Sequence, residues 1–389
     1  MKIRSEIFAA VSLLCIHCSI SHSAQLHHNE EDRRTSCDTV SVTIIGDVML
    51  HQSQIDNCRE RFAAKYGKAA PESHDAFDFT PYFAEISDIL KKSDISVANM
   101  EFTLSGPPFS GYPAFAAPDS YAYYMADCGI NVFLTANNHI LDKGARGMSR
   151  TLATYTDMDE TDGVLNTGSF TSSESMSGNY PLIIECKGTR IALVNFTYGT
   201  NVSPDGNFPK TCTMDKEEIS AALAKARENA DIIIALPHWG TEYALRHSAE
   251  QEAMAYWLAE NGADIIVGSH PHVVQDTGTI TVKDGQEEKS VRVIYSTGNI
   301  ISNMSAANTQ IGLIVQLKIA EDSDGKAKIT SDEYTYTWCS LPGRLTDSHI
   351  TIPVKKYKDT RGSWKDPGGY DKMIDTYSRI LKTSGIKDK

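Results

Sequence analysis

Short apolar runs rich in β-branched residues alternate along this chain with helix-like segments, and five of the runs end in a compact polar motif. In chain order these motifs are Gly46-Asp47, Asn99-Met100-Glu101, Asn137-Asn138-His139, His238-Trp239-Gly240 and His270-Pro271-His272. Strand–helix–strand order favours parallel pairing, and parallel strands present their carboxyl ends along one sheet edge, where residues distant in sequence meet. The motifs supply two carboxylates, an amide and several imidazoles, oxygen and nitrogen ligands suited to divalent metals.

The individual elements follow from periodicity and capping signals. Residues 40–45 read as a strand ending at Gly46-Asp47, and residues 94–98 as a second ending at Asn99. Between them Thr80-Pro81 pairs an N-cap with a proline at the first helical position and predicts a helix over 82–92. A helix over 120–128 stops at Gly129, a strand over 131–135 delivers Asn137-Asn138-His139, and Gly144 and Gly147 lead into a helix up to Met158. Strands follow over 182–186 and 191–196, then a helix over 215–230 and the strand 231–236 that carries His238. Ser248 to Gln251 is a capping box opening a helix to Glu260; Gly262 closes it before the strand 264–267 presents His270. Strands over 291–296 and 312–319 extend this sheet or form a second one packed against it. Segments 283–289 and 321–326 read as hairpin loops.

The 389 residues, 41% of them hydrophobic, suffice for one large α/β domain or two modest ones. With 37 Lys and Arg against 50 Asp and Glu, the net charge of −13 excludes a sequence-independent nucleic-acid binder. Lys2 and Arg4 precede an apolar stretch over 7–16 and a small-residue run to Ser23-Ala24, so residues 1–24 read as an export signal, with an uncleaved membrane anchor as the alternative. Residues 25–38 form a polar spacer. The remaining cysteines, Cys37, Cys58, Cys128, Cys186, Cys212 and Cys339, show no metal-site spacing and are either disulfide partners or small buried hydrophobes.

The motifs also carry a family resemblance. Residues 45–50, 97–101, 135–144, 238–243 and 268–275, extended by Tyr295-Ser296-Thr297-Gly298-Asn299, resemble the capsule synthesis protein CapA family, linked to poly-gamma-glutamate capsules, across about Val40 to Gln316. That family in turn resembles calcineurin-type metallophosphoesterases. The resemblance implies an α/β four-layer sandwich of two mixed sheets flanked by helices, spanning residues 39–340, with 341–389 as a C-terminal extension packed on it. It implies one or two divalent ions (Mn, Zn, Fe or Mg) held by Asp47, Glu101, Asn138, His238, His270 and His272, with Glu101 as the bridge. His139 becomes the proton donor and Asp142 its orienting group, unless Asp142 caps the following helix. Two positions depart from the phosphoesterase pattern: Met49 stands where a histidine ligand is expected, and Glu101 replaces an aspartate. His51 stands in for the missing ligand only if the chain turns sharply; otherwise it lies outside the ligand set.

Each motif has a plainer reading as well. Asp47 can cap a turn, and Asn137 or Asn138 can occupy a left-handed position. In His270-Pro271-His272 the proline favours an extended His270, and extended residues two apart share a side. Trp239, Glu242, Tyr243, Tyr112 and Asn201 are candidate substrate contacts, with core packing as the alternative for Trp239. Two functions fit: an exported metal-dependent hydrolase or transferase acting on amide or phosphoester bonds of an anionic polymer such as polyglutamate, beside membrane-bound capsule machinery, or a non-catalytic polymer-binding assembly component on the same fold. Neither requires nucleic acid.

Overall fold

The structure, a computed structural model, describes residues 39–70, 73–285 and 287–388. The expected signal, the spacer and Cys37 lie outside these residues.

Eight strands form the first sheet, in the spatial order Ile350–Pro353 (β16), Ala327–Ser340 (β15), Ile311–Glu321 (β14), Val40–Val48 (β1), Ile95–Met100 (β2), Val132–Leu134 (β3) and Leu165–Thr167 (β4), with Asn299–Ile301 (β13) beside β1. The second runs Thr277–Asp284 (β11), Glu287–Ile294 (β12), Ile265–Val267 (β10), Ile232–His238 (β9), Thr189–Thr197 (β7) and Leu182–Cys186 (β6). A two-stranded ribbon pairs Ser169–Phe170 (β5) with Lys210–Thr211 (β8). The helices are Gln52–Tyr66 (α1), Ser87–Lys91 (α2), Asp119–Asp127 (α3), Gly144–Asp162 (α4), Ser173–Asn179 (α5), Lys216–Asn229 (α6), Ala249–Glu260 (α7), Val354–Tyr357 (α8) and Pro367–Ser384 (α9).

Strand alternation sorts the side chains into layers. Ile44, Val97, Val132 and Leu134 of the first sheet share an apolar cluster with Leu193, Ile234 and Ile265 of the second, so the two sheets pack face to face. Their sequence neighbours point the other way. Ile45, Ala98 and Phe133 pack with Tyr121 of α3 and Tyr155 of α4, while Ile233, Ala235 and Val293 pack with Leu223 of α6 and Leu258 of α7. The result is the four-layer α/β sandwich of two mixed sheets that the resemblance implied.

Several elements depart from the sequence expectation for visible reasons. Residues 80–86 are turns, and the helix is confined to α2. The Thr80 amide donates to Asp78 Oδ1 at 3.1 Å instead of standing at a helix start, while Tyr82, Phe83 and Ile86 sink into the core. Helix α1 carries only Gln54, Ile55 and Cys58 as buried residues, too few for a periodic apolar face to show. Residues past 340 enter the first sheet and its core: β16 pairs with β15, and Met373 and Ile380 of α9 lie in the inter-sheet cluster with Tyr336 and Trp338. The five described cysteines are buried and free, which favours the small-hydrophobe reading for them.

The central strand β1 is fixed by a close approach on its β13 side. Asp47 N donates to Gly298 O at 3.1 Å, and a Cβ on Gly46 would fall 1.9 Å from that same carbonyl oxygen. Gly46→Ala is therefore expected to destabilise the protein by about 1–3 kcal/mol or more through overpacking. A urea midpoint equal to that of the wild type would contradict this close packing.

Candidate metal centre

Asp47 lies near the end of β1, Glu101 follows β2, Asn138 and His139 follow β3, His238 ends β9, and His270 and His272 follow β10. Parallel register sets the neighbours: Asp47 is opposite Asn99 between β1 and β2, and an isolated bridge joins His238 to Ser269. The carboxyl ends of strands from both sheets thus converge, and all of these polar side chains are buried.

Glu101 is the meeting point. Its Oε1 lies 3.8 Å from His238 Nε2, 3.9 Å from His272 Nε2 and 4.0 Å from His139 Nε2. Neither of its oxygens has a hydrogen-bond partner, although the residue is fully buried. Two ligand groups share it, Asp47–Glu101–His272 and Glu101–His238–His270, each with ligand atoms within 4.8 Å of one another. The Asn138 Oδ1 lies 2.9 Å from His238 Nε2, on the second group. An orphaned carboxylate ringed by imidazoles and a second carboxylate is a donor set that fits a divalent cation.

Electrostatics point the same way. Burial, reinforced by Asp47, Glu242 and Asp142, pushes Glu101 well above the ordinary glutamate range. Burial and the neighbouring imidazoles hold His238 well below the usual histidine value, and burial first, with His272, pulls His270 down to about 3. Burial thus favours the neutral form of both, the form in which a histidine ligates a cation. Burial also opposes charge on His272, but its hydrogen bond to Asp47 and that residue's charge outweigh it and raise its pKa.

Surrounding amides aim the ligands. Asn99 Nδ2 donates to Asp47 Oδ1 at 2.7 Å, and Asn137 Nδ2 donates to Asn99 Oδ1 at 3.2 Å. The 2.9 Å contact between His272 Nδ1 and Asn299 Oδ1 requires the proton on Nδ1, which turns Nε2 toward Glu101. His238 Nδ1 is similarly held against Ser269 Oγ at 2.9 Å. Asn99 and Asn299 stand in the sequence motifs, but only the folded pairing shows them as positioning groups. His139 Nδ1 lies 2.7 Å from Asp142 Oδ2, which also accepts from the Phe115 amide at 2.8 Å. Helix α4 has Lys143 at its N-cap with no side-chain cap, so Asp142 orients His139 and does not cap that helix.

One expectation changes here, and the places of Trp239, Met49 and His51 become visible. His270 and His272 adopt φ of +98° and +58°, so the histidines converge through a left-handed turn and not along an extended strand. Trp239 touches no substrate space: it is 1% exposed, packs in the outer core and donates from Nε1 to Tyr295 O at 2.9 Å, closing on Gly268, where a Cβ would fall 2.4 Å from that nitrogen. Met49 is packed in the apolar layer with Ile55 and Phe102 and stays out of the ligand groups. His51 is the N-cap residue of α1, its Nδ1 accepts from the Asn303 amide at 3.2 Å, and it is likewise outside them.

The other predicted contacts edge the mouth of the centre. Tyr112 is 72% exposed and meets Phe115, whose ring lies 4.7 Å from His139. Tyr243 lies 6.3 Å from His272, ring to ring. Asn201 Nδ2 comes within 3.4 Å of His139 Nδ1, and its amide donates to Asn138 O at 2.9 Å. Tyr198, whose exposed ring lies 4.5 Å from His270, belongs with them; its signal was a large aromatic at the end of β7.

Fold and site together define a two-sheet α/β sandwich protein with a buried carboxylate–histidine centre at its strand ends. The chain belongs to the family described as bacterial capsule synthesis protein PGA_cap, which matches residues 41–304. It is 23% identical over 379 residues to the PGA biosynthesis protein CapA of Bacillus subtilis (strain 168), covering 95% of this chain and 91% of that one. It is 26% identical over 314 residues to the capsule biosynthesis protein CapA of Bacillus anthracis, covering 77% and 67%. Among solved structures it is similar to a novel phosphatase of Mycoplasma pneumoniae, at 14% identity, TM-score 0.42, 77% of this chain and 94% of that one. The NAD nucleotidase of Haemophilus influenzae is also 14% identical, with TM-score 0.43 and coverage of 91% and 65%.

The raised pKa of Glu101 has a consequence for the metal-free protein. A carboxyl raised on folding contributes stability that is fully present below its unfolded value near 4.5 and lost as pH rises through the folded value. Glu101→Gln removes that loss, so in urea unfolding of metal-free protein the variant is expected to be more stable than wild type at pH 8 and about equal at pH 4. Equal stability at both pH values would contradict an unpaired buried carboxylate.

Proposed function

We propose that this chain acts in capsule polymer synthesis as a metal-dependent hydrolase or transferase at an amide or phosphoester bond. The observation that carries the reading is the Glu101 carboxylate, buried without a hydrogen bond among His139, His238 and His272. Among the described residues the ion-pair partners of Asp47, Glu101 and Asp142 are all histidines, so no Lys or Arg offsets the negative charge. Family membership supports the capsule role, and the signal-like residues 1–24 support action outside the cytoplasm, on an anionic polymer such as poly-gamma-glutamate beside membrane-bound machinery.

Asp47, Glu101 and His272 would hold one ion, and Glu101, Asn138, His238 and His270 a second. A bound divalent cation supplies an activated water near neutral pH and offsets charge on the attacked group. The chain's own residues do the rest. Asp142 holds His139 Nδ1–H, so Nε2 is the atom turned toward the centre, placed to protonate a leaving group. Tyr112, Tyr198 and Tyr243 offer broad faces on which a polymer can lie at the mouth.

Metal analysis of the purified protein, with turnover assays on phosphoester and gamma-glutamyl amide substrates before and after chelation, tests the proposal. Bound metal and chelator-sensitive turnover are expected; no metal after gentle purification and no turnover on reconstitution would end it. His139→Ala is expected to lower kcat by about 10²–10⁴ with metal content unchanged. Loss of metal in that variant would remove His139 from the proton-donor role.

A further inference from the structure

We propose that Glu242 is a ligand of the same centre, entering it from the solvent side beside His270 and His272, next to the Asp47–Glu101–His272 position to which Met49 adds no ligand. This inference rests on the metal reading above. Three protein ligands leave that position open, because Met49 is anchored elsewhere. Its amide donates to Ile301 O at 3.0 Å, its carbonyl accepts from Gln54 Nε2 and Tyr121 Oη, and its side chain lies in the apolar layer. A thioether is in any case a poor ligand for a hard divalent ion.

Glu242 lies on the other side of the same histidine. Its carboxylate, His270 and His272 form a third ligand group, with ligand atoms within 4.8 Å of one another. None of these contacts is a direct ion pair, whereas donors about 2.1 Å from one ion lie roughly 3–4 Å apart, so a small inward shift of the exposed side chain completes the shell. A separate observation points to a ligand here: His270 Nδ1 is buried and has no hydrogen-bond partner. The loop that bears Glu242 is tied to the His-Pro-His turn, with Trp239 N donating to Ser269 O at 3.0 Å and Tyr243 N to Pro271 O at 2.8 Å.

Charge sharpens the assignment. Asp47, Glu101 and Asp142 already converge on the histidines, and Glu242 adds a fourth carboxylate beside His270 and His272. No Lys or Arg among the described residues forms an ion pair with any of the four. A divalent cation held among them would offset the charge they carry.

Manganese titration of the metal-stripped full-length protein by calorimetry, with Mn²⁺ electron paramagnetic resonance, tests this on wild type, Glu242→Gln, Glu101→Gln and Tyr243→Phe. Glu242→Gln is expected to lose one equivalent of Mn²⁺ or to bind it at least about tenfold more weakly, with an altered resonance spectrum. Tyr243→Phe is expected to bind as wild type does. The substitution removes charge from an exposed side chain, and an unchanged thermal midpoint of the metal-free variant verifies folding. Wild-type Mn²⁺ binding in Glu242→Gln, with only substrate affinity reduced, would make Glu242 a substrate contact and overturn the inference while leaving the metal reading intact. No Mn²⁺ uptake by wild type would overturn both.

Discussion

Negative charge gathered where two sheets meet is the constraint that organises this molecule. Asp47 and Glu101 come from adjacent strands of one sheet and are fully buried, and burying unpaired carboxylates costs several kcal/mol each unless a partner is supplied. The second sheet supplies imidazoles, which can share a cation with the carboxylates. The amides of Asn99 and Asn299 and the Ser269 hydroxyl take up the remaining donor and acceptor capacity of Asp47, His272 and His238. Glu101 alone is left with both oxygens unanswered.

Holding such a centre requires stiffness, and the surrounding fold provides it. The inter-sheet core runs beneath the site through Ile44, Val97, Leu134, Leu236 and Val267, the apolar residues that close the strands just before the polar motifs begin. Close approaches at Gly46 and Gly268 lock β1 to β13 and the β10 exit to Trp239. Against that frame His270 and His272 keep positive φ values, a conformation that costs of order 1–3 kcal/mol per residue and persists where the surroundings over-determine it.

Much of this was legible in the chain. The β-branched runs located β1, β2, β7, β9 and β10 to within a few residues, because parallel strands buried on both faces read as continuous apolar segments. The capping box at Ser248 fell where expected, since that signal is local. Less visible were α1, whose apolar face is thin, and β16, whose place in the first sheet depends on pairing with β15 made across the fold. The helix expected over 82–92 failed because three large side chains gained more from burial than from helical geometry.

The sequence by itself determined the ligand types, their order and their position at strand ends, because strand patterning and the chemistry of Asp, Glu, Asn and His are properties of short segments. Only the tertiary structure decided which of those groups share a centre. It placed Trp239 in the core, turned Met49 away from Asp47, and brought Glu242 against His270 and His272, since each outcome depends on which strands become neighbours and how the chain turns between them. Pairing across two sheets is a long-range event, and no local run of residues encodes which carboxylate will be left without a partner.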